Sequence, residues 1–206
     1  MKEVNYNKRQ DSAKKYLDSL FDNYSKLSVV RVDLAYKKPY SNSLELDDAI
    51  KDINRLKNNR RGKPSVFENN VGYIIKSEHT EDKGMHTHAI FFYDGNKVSK
   101  DTFKSKQIGE YWNSTITNGK GTYHNCNMNN YEKNGIGMID YKDKEKIGVL
   151  KDEVISYLCK DEQDISSLKG SKNYKSFIRG IIPKKKSSAG RPRSKGNVKV
   201  DTNNLS

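Results

Sequence analysis

Apolar residues at Ala13, Leu17, Leu20, Phe21 and Tyr24 recur every three or four positions, the spacing that puts them on one face of a helix. The next stretch, 27–36, is carried by Val29, Val30, Val32 and Leu34 and reads as a strand. Leu46, Ala49, Ile50 and Ile53 return to helical spacing. Asn42 and Glu45 stand at capping-box spacing before them, and Asn58-Asn59-Arg60-Arg61-Gly62 marks the end. Residues 71–78 and 86–93 are two β-rich runs on either side of a polar turn, the pattern of an antiparallel pair. Phe103, Ile108, Tyr111 and Trp112 predict a third helix, with Tyr111 and Trp112 as core, and Val154, Ile155 and Leu158 predict a last helix over about 151–162. Between them, 113–148 is rich in Asn and Gly with weak alternation. It offers further strand at 121–128 and 137–141, or a loop over a site.

This order predicts an α+β protein with an antiparallel sheet covered by helices. Three parts are expected: an N-terminal helix (1–26) packed on the domain, the domain itself (27–165), and a basic, largely flexible tail (166–206). No internal repeat is visible.

Charge changes the picture most at the tail. The 206-residue chain has a formal net charge of +13, and residues 165–206 hold eleven Lys and Arg against Asp201 alone, a net of +10. Lys184, Lys185, Lys186, Arg191 and Arg193, with few apolar residues after Ile182, describe an arm too polar to fold alone and suited to phosphate backbones. No apolar run approaches the roughly 20 residues of a membrane span. The start, Met1-Lys2-Glu3-Val4-Asn5-Tyr6, has no apolar leader, and Cys126 and Cys159 form no Cys-x-x-Cys pair or disulfide framework. A reducing cytoplasm is the expectation.

The chemistry concentrates in the paired strands. Three of the four histidines lie there, and His86-Thr87-His88 opens the second strand. Residues two apart on a strand share a face, so His86 and His88 sit side by side, and the antiparallel fold brings Glu78 towards them. Two imidazoles and a carboxylate suit a divalent cation, Mn²⁺ or Mg²⁺, with positions open to substrate. On the last helix, Tyr157 and Lys160 are three apart, hence neighbours. That spacing alone says little, because Tyr73 and Tyr141, among thirteen tyrosines, are also followed by a lysine three residues on.

The order Glu78, His86-Thr87-His88, then a helical Tyr157-x-x-Lys160 resembles the HUH single-strand DNA endonucleases, in particular the replication initiators of rolling-circle phages and plasmids. The resemblance covers roughly residues 27–165. Tyr157-Leu158-Cys159-Lys160-Asp161-Glu162-Gln163 and Gly190-Arg191-Pro192-Arg193 look most like the inovirus-type replication proteins of bacterial genomes. It implies a sheet of the RRM or ferredoxin-like type, metal ligation by His86 and His88, Tyr157 as nucleophile and Lys160 assisting. Glu78 is then the third ligand, with His79 substituting if a bulge intervenes. Thr87 departs from the bulky hydrophobic residue usual at that position. The implied activity is nicking and joining of single-stranded DNA at a replication origin through a 5′-phosphotyrosine link, in the cytoplasm of a bacterial host. With no Gly-x-x-x-x-Gly-Lys run, unwinding falls to a separate helicase. A second class stays open: a sequence-specific regulator or origin binder without catalysis. An RNA-binding protein is less well supported, since no strand carries an aromatic RNP-like motif.

Overall fold

Residues 89–93 are apolar without alternation, which a strand shows when both its faces are covered. All five are fully buried in the computed structural model, which describes residues 2–160, 165 and 174–184. The chain runs α1 (Lys2–Asn23), β1 (Lys26–Tyr36), α2 (Tyr40–Ser43), α3 (Leu46–Asn59), α4 (Pro64–Phe67), β2 (Asn70–Thr80), β3 (Gly84–Asp94) and α5 (Asp101–Tyr111). A π-helical turn (Trp112–Ile116), β4 (Gly121–Asn125), a 3-10 turn (Cys126–Met128) and β5 (Gly137–Asp140) follow. Then come α6 (Lys144–Val149), a π-helical stretch (Leu150–Ile155), α7 (Ser156–Cys159) and β6 (Phe177–Arg179).

The protein is therefore α+β, with one six-stranded antiparallel sheet and helices on both faces. The strand order is β4-β1-β3-β2-β6, and β5 also pairs with β1. One face packs Val30, Val32, Leu34, Ile75, Ala89, Phe91 and Tyr93 against α3, α4 and α5. The other packs Leu27, Val29, Ile74, Ile90 and Phe92 against α1 and the α6–α7 segment. Leu17 and Leu20 of α1 are fully buried there, which contributes about 1.5–3 kcal/mol each. The hydrogen bond from Gln10 Nε2 to Ser156 Oγ, 2.6 Å, adds about 0.5–1.5 kcal/mol. Apolar burial docks α1, and the polar bond fixes how it meets α7.

Several expectations shift. The sheet continues past residue 165, because β6 pairs with β2 in the part assigned to the flexible tail. Residues 113–148 are not one loop: β4 and β5 lie along β1, at residues 32–36 and 26–29. The last helical run starts earlier than expected, at Lys144, and α7 ends at Cys159; Lys160 is extended (φ −64°, ψ 150°) and lies outside the helix. Asn42 makes no capping box, since Glu45 is itself the N-cap residue of α3 and makes no side-chain cap bond. The N-terminus is favoured instead by Asp47 and Asp48 in its first turn, where the helix dipole attracts negative charge. Tyr111 and Trp112 are buried as expected, whereas Phe103 is exposed. Both cysteines are free and buried, and among the described residues no helix is long and apolar enough to cross a membrane.

Candidate active site

One sheet face changes character along its strands. On β1 the residues facing α1 and α7 run Leu27, Val29, Arg31, Asp33; on β3 they run Phe92, Ile90, His88, His86; on β2, Ile74, Lys76, Glu78. The apolar end is core, and the polar end is the site. Glu78 stands directly across from His86 in the register, and Asp33 and Lys76 flank His88 on its two sides.

The three expected metal residues come together. Glu78 Oε2 lies 3.4 Å from His86 Nε2 and 3.4 Å from His88 Nε2, and one ligand atom from each residue falls within 4.8 Å of the others. The group is able to hold a metal ion. His79 pairs with Met85 and falls on the opposite face, so no bulge brings it in.

The far ring nitrogens are fixed as well. His86 Nδ1 lies 3.1 Å from the Gly84 carbonyl oxygen, which only accepts, so Nδ1 carries the hydrogen and Nε2 is left to bind. Gly84 is suited to this turn: its φ is +66°, and a Cβ there would fall 2.7 Å from the Ser41 carbonyl oxygen. His88 Nδ1 donates to Asp33 Oδ1 at 2.7 Å, a carboxylate–histidine pair of the kind that orients metal-binding imidazoles. Thr87 faces the other way and bonds Ser77 Oγ at 3.2 Å, which in turn meets Tyr174 Oη at 3.0 Å. A small polar residue fits there because its neighbours are polar.

Burial raises the Glu78 carboxyl, but the ring nitrogens of His86 and His88 beside it outweigh burial and hold Glu78 at about 2. For His88 burial works downward, and Asp33 with Glu78 outweighs it, lifting the ring to about 9. Asp33 is likewise held below its ordinary value, its burial outweighed by His88 and Arg31. Metal-free His88 is therefore protonated at neutral pH, and an ion must displace that proton. Mn²⁺ binding should weaken about tenfold per unit of falling pH below about 9, read by titrating metal near pH 6 and near pH 8. Affinity independent of pH would remove His88 from the ligand set. Asp33→Asn, which removes the charge that orients His88, should lower Mn²⁺ affinity about 10–100-fold in a folded protein.

Tyr157 reaches the same place from α7. Its ring centre is 5.6 Å from that of His88, edge-on at 76°, and it is 44% exposed. Leu158 and Cys159 beside it are fully buried, so the helix is anchored while the phenol stays accessible. Two cations attend the ring: the Arg31 guanidinium carbon at 5.5 Å and Lys160 Nζ at 5.9 Å. A cavity of about 550 Å³ opens beside the histidines, lined by Asp33, Tyr36, Lys83, Tyr123 and His124 among others.

Arg31, Asp33 and Lys76 are site residues that the sequence reading missed. The signal for the first two is present: they are charged residues two apart in the otherwise apolar run Val29-Val30-Arg31-Val32-Asp33-Leu34. Lys76 is fully buried, and its charge helps to hold Glu78 ionised. Of the tail residues, Lys184 is exposed; Lys185, Lys186, Arg191 and Arg193 lie outside the described residues.

Fold and site together define an α+β protein with a His-His-Glu group on one sheet face and a helix-borne tyrosine beside it. A family model, the YagK/YfjJ C-terminal domain, matches residues 2–180, and the chain belongs to that family. No curated protein and no solved structure matches it.

Proposed function

We propose that this chain is a metal-dependent enzyme of the HUH type that nicks and joins single-stranded DNA, initiating rolling-circle replication of a phage, plasmid or mobile element. The observation that carries the reading is the Tyr157 ring 5.6 Å from His88, at the edge of the His86, His88 and Glu78 group. The connectivity supports it: β1, helix, β2, β3, helix, β4, in the order β4-β1-β3-β2, is the split βαβ arrangement of ferredoxin-like sheets.

The donor set fits a divalent ion. Two imidazole nitrogens and one carboxylate oxygen converge, with the far nitrogens tied back by Asp33 and Gly84. When bound there, Mn²⁺ or Mg²⁺ would supply Lewis-acid polarisation of a non-bridging oxygen of the scissile phosphate. The chain's own residues do the rest. Tyr157 Oη attacks phosphorus, its proton leaves, the bond from phosphorus to O3′ breaks, and O3′ takes up a proton. A 5′-phosphotyrosine link and a free 3′-hydroxyl result, so the bond energy is kept for rejoining.

A phenol ionises near pH 10, so positive charge beside it promotes attack at neutral pH. Arg31 has 16% of its side chain exposed and is screened less than the exposed Lys160. Lys160→Ala should slow adduct formation about 10²-fold, and Arg31→Ala about 10²–10³-fold. Single-turnover rates measure both, and an unchanged rate removes that residue from the mechanism.

The substrate is single-stranded at the cut, since an unpaired backbone bends between helix and sheet; a separate helicase would supply it. The test is to incubate the protein with mixed single-stranded DNA and Mn²⁺ and examine it on a denaturing gel. A DNA-dependent band that survives boiling in detergent is expected. Reversible binding without an adduct would favour the regulator instead.

A further inference from the structure

At the other end of β2 from Glu78 lies a second concentration of positive charge. Tyr73 precedes Glu78 by five residues, about 16 Å of strand. The Arg60 guanidinium, just past the end of α3, lies over its ring at 4.2 Å. Arg60 Nε and Nη1 are both buried and meet no hydrogen-bond partner. No described carboxylate pairs with Arg60, and Lys57 and Arg61 join it in lining a cavity of about 490 Å³. A half-buried guanidinium beside like charges, with two buried donors unused, is costly unless an anion offsets its charge.

A second cavity of about 670 Å³ shares Gly180 and Ile181 with the first and is lined by Lys8, Lys175 and Arg179 among others. Among the described residues no Asp or Glu lines either cavity. Ile181, 87% exposed, stands on the common wall. The chain leaving this wall continues Pro183-Lys184-Lys185-Lys186, so the positive track extends along the sequence.

We propose that the two adjoining cavities form a phosphate-binding groove for the backbone of a nucleic acid strand, with the half-buried Arg60 as its anchor. A planar guanidinium stacked on an aromatic ring presents its edge donors to phosphate oxygens, which suits Arg better than Lys. Repeated cations without carboxylates match a chain of phosphates, and the apolar Ile181 between them suits a sugar or base. The groove holds DNA without metal and without Tyr157, so the proposal stands or falls independently of the nicking chemistry.

The experiment measures binding of a fluorescent single-stranded DNA oligonucleotide to the full chain in chelator at several salt concentrations. Arg60→Gln combined with Arg61→Gln should weaken binding about tenfold near 0.1 M salt. The slope of log K against log salt should fall by about 1.4, two phosphate contacts at roughly 0.7 each. Lys106→Gln, on the exposed α5 face where Lys106 pairs with Glu110, is the control and should change neither. Lys57→Gln with Arg61→Gln keeps Arg60 and reads the same slope if the first variant unfolds. An unchanged slope in the folded variants, or an equal loss in the control, overturns the groove. A groove for a free ion is overturning too: inorganic phosphate would then raise the thermal midpoint of the wild type while the DNA slope stayed the same in the variants.

Discussion

Tyr157→Phe should abolish the covalent protein–DNA adduct and strand cleavage while leaving the fold and DNA binding nearly intact. The ring keeps its edge contact with His88 and its place beside Arg31 and Lys160; only the hydroxyl is lost. Whatever hydrogen bond that hydroxyl makes contributes about 0.5–1.5 kcal/mol net, small against a typical stability of roughly 5–15 kcal/mol. Chemistry has no such margin, because the atom removed is the one proposed to attack. The measurement is a denaturing gel of wild type and variant with the same oligonucleotide and Mn²⁺. An adduct from the Phe protein would mean another tyrosine attacks. Tyr73 is the weaker candidate, since it packs against the core of the opposite sheet face.

The second large effect is expected from the metal group. His86→Ala should reduce cleavage below detection and weaken Mn²⁺ binding, and chelator should inactivate the wild type reversibly without unfolding it. Chelation spares the fold for a stated reason: with the ion gone, His88 takes back a proton, its raised value of about 9 keeping it charged between Asp33 and Glu78. The carboxylates stay compensated. His88→Ala is the harsher change, leaving Asp33 and Glu78 without that cation, so loss of activity there mixes chemistry with stability. His86 touches only the Gly84 carbonyl and Glu78 among these groups and is the cleaner variant. Glu78→Gln should lower metal affinity and His79→Ala should not. Cleavage at full rate in chelator would sink the metal reading.

Much of this was legible in the residues. Period-two and helical spacing located α1, β1, α3, β2, β3 and α5, because each turns apolar residues to the core, and the paired strands put Glu78, His86 and His88 on one side from the residues alone. Pairing across distance was not legible. Asp33 meets His88 over 55 residues of separation, and nothing local to Val32-Asp33-Leu34 states which strand lies alongside. β6 was missed because Phe177-Ile178-Arg179 is three residues in a basic stretch, strand only because β2 offers it an edge. β4 and β5 fall inside the two runs offered as strand, 121–128 and 137–141, but at five and four residues they did not show that both pair with β1. The end of α7 was not legible because Lys160 is itself extended, which helix propensity does not foresee.

The π-helical stretch Leu150–Ile155 makes the aim of Tyr157 a matter of counting. An α-helix advances about 100° per residue, and a wider turn absorbs extra length without moving its ends. Ile147 before it, Leu150 and Ile155 at its two ends and Leu158 after it all face the same core. One residue can be lost here as the winding tightens, with both ends held in place; a second loss has no wide turn left to absorb it and would swing everything downstream by about 100°, driving the phenol away from the histidines with every side chain of the site still present. Substitutions inside this segment should therefore disturb the aim of Tyr157 less than length changes greater than that one residue.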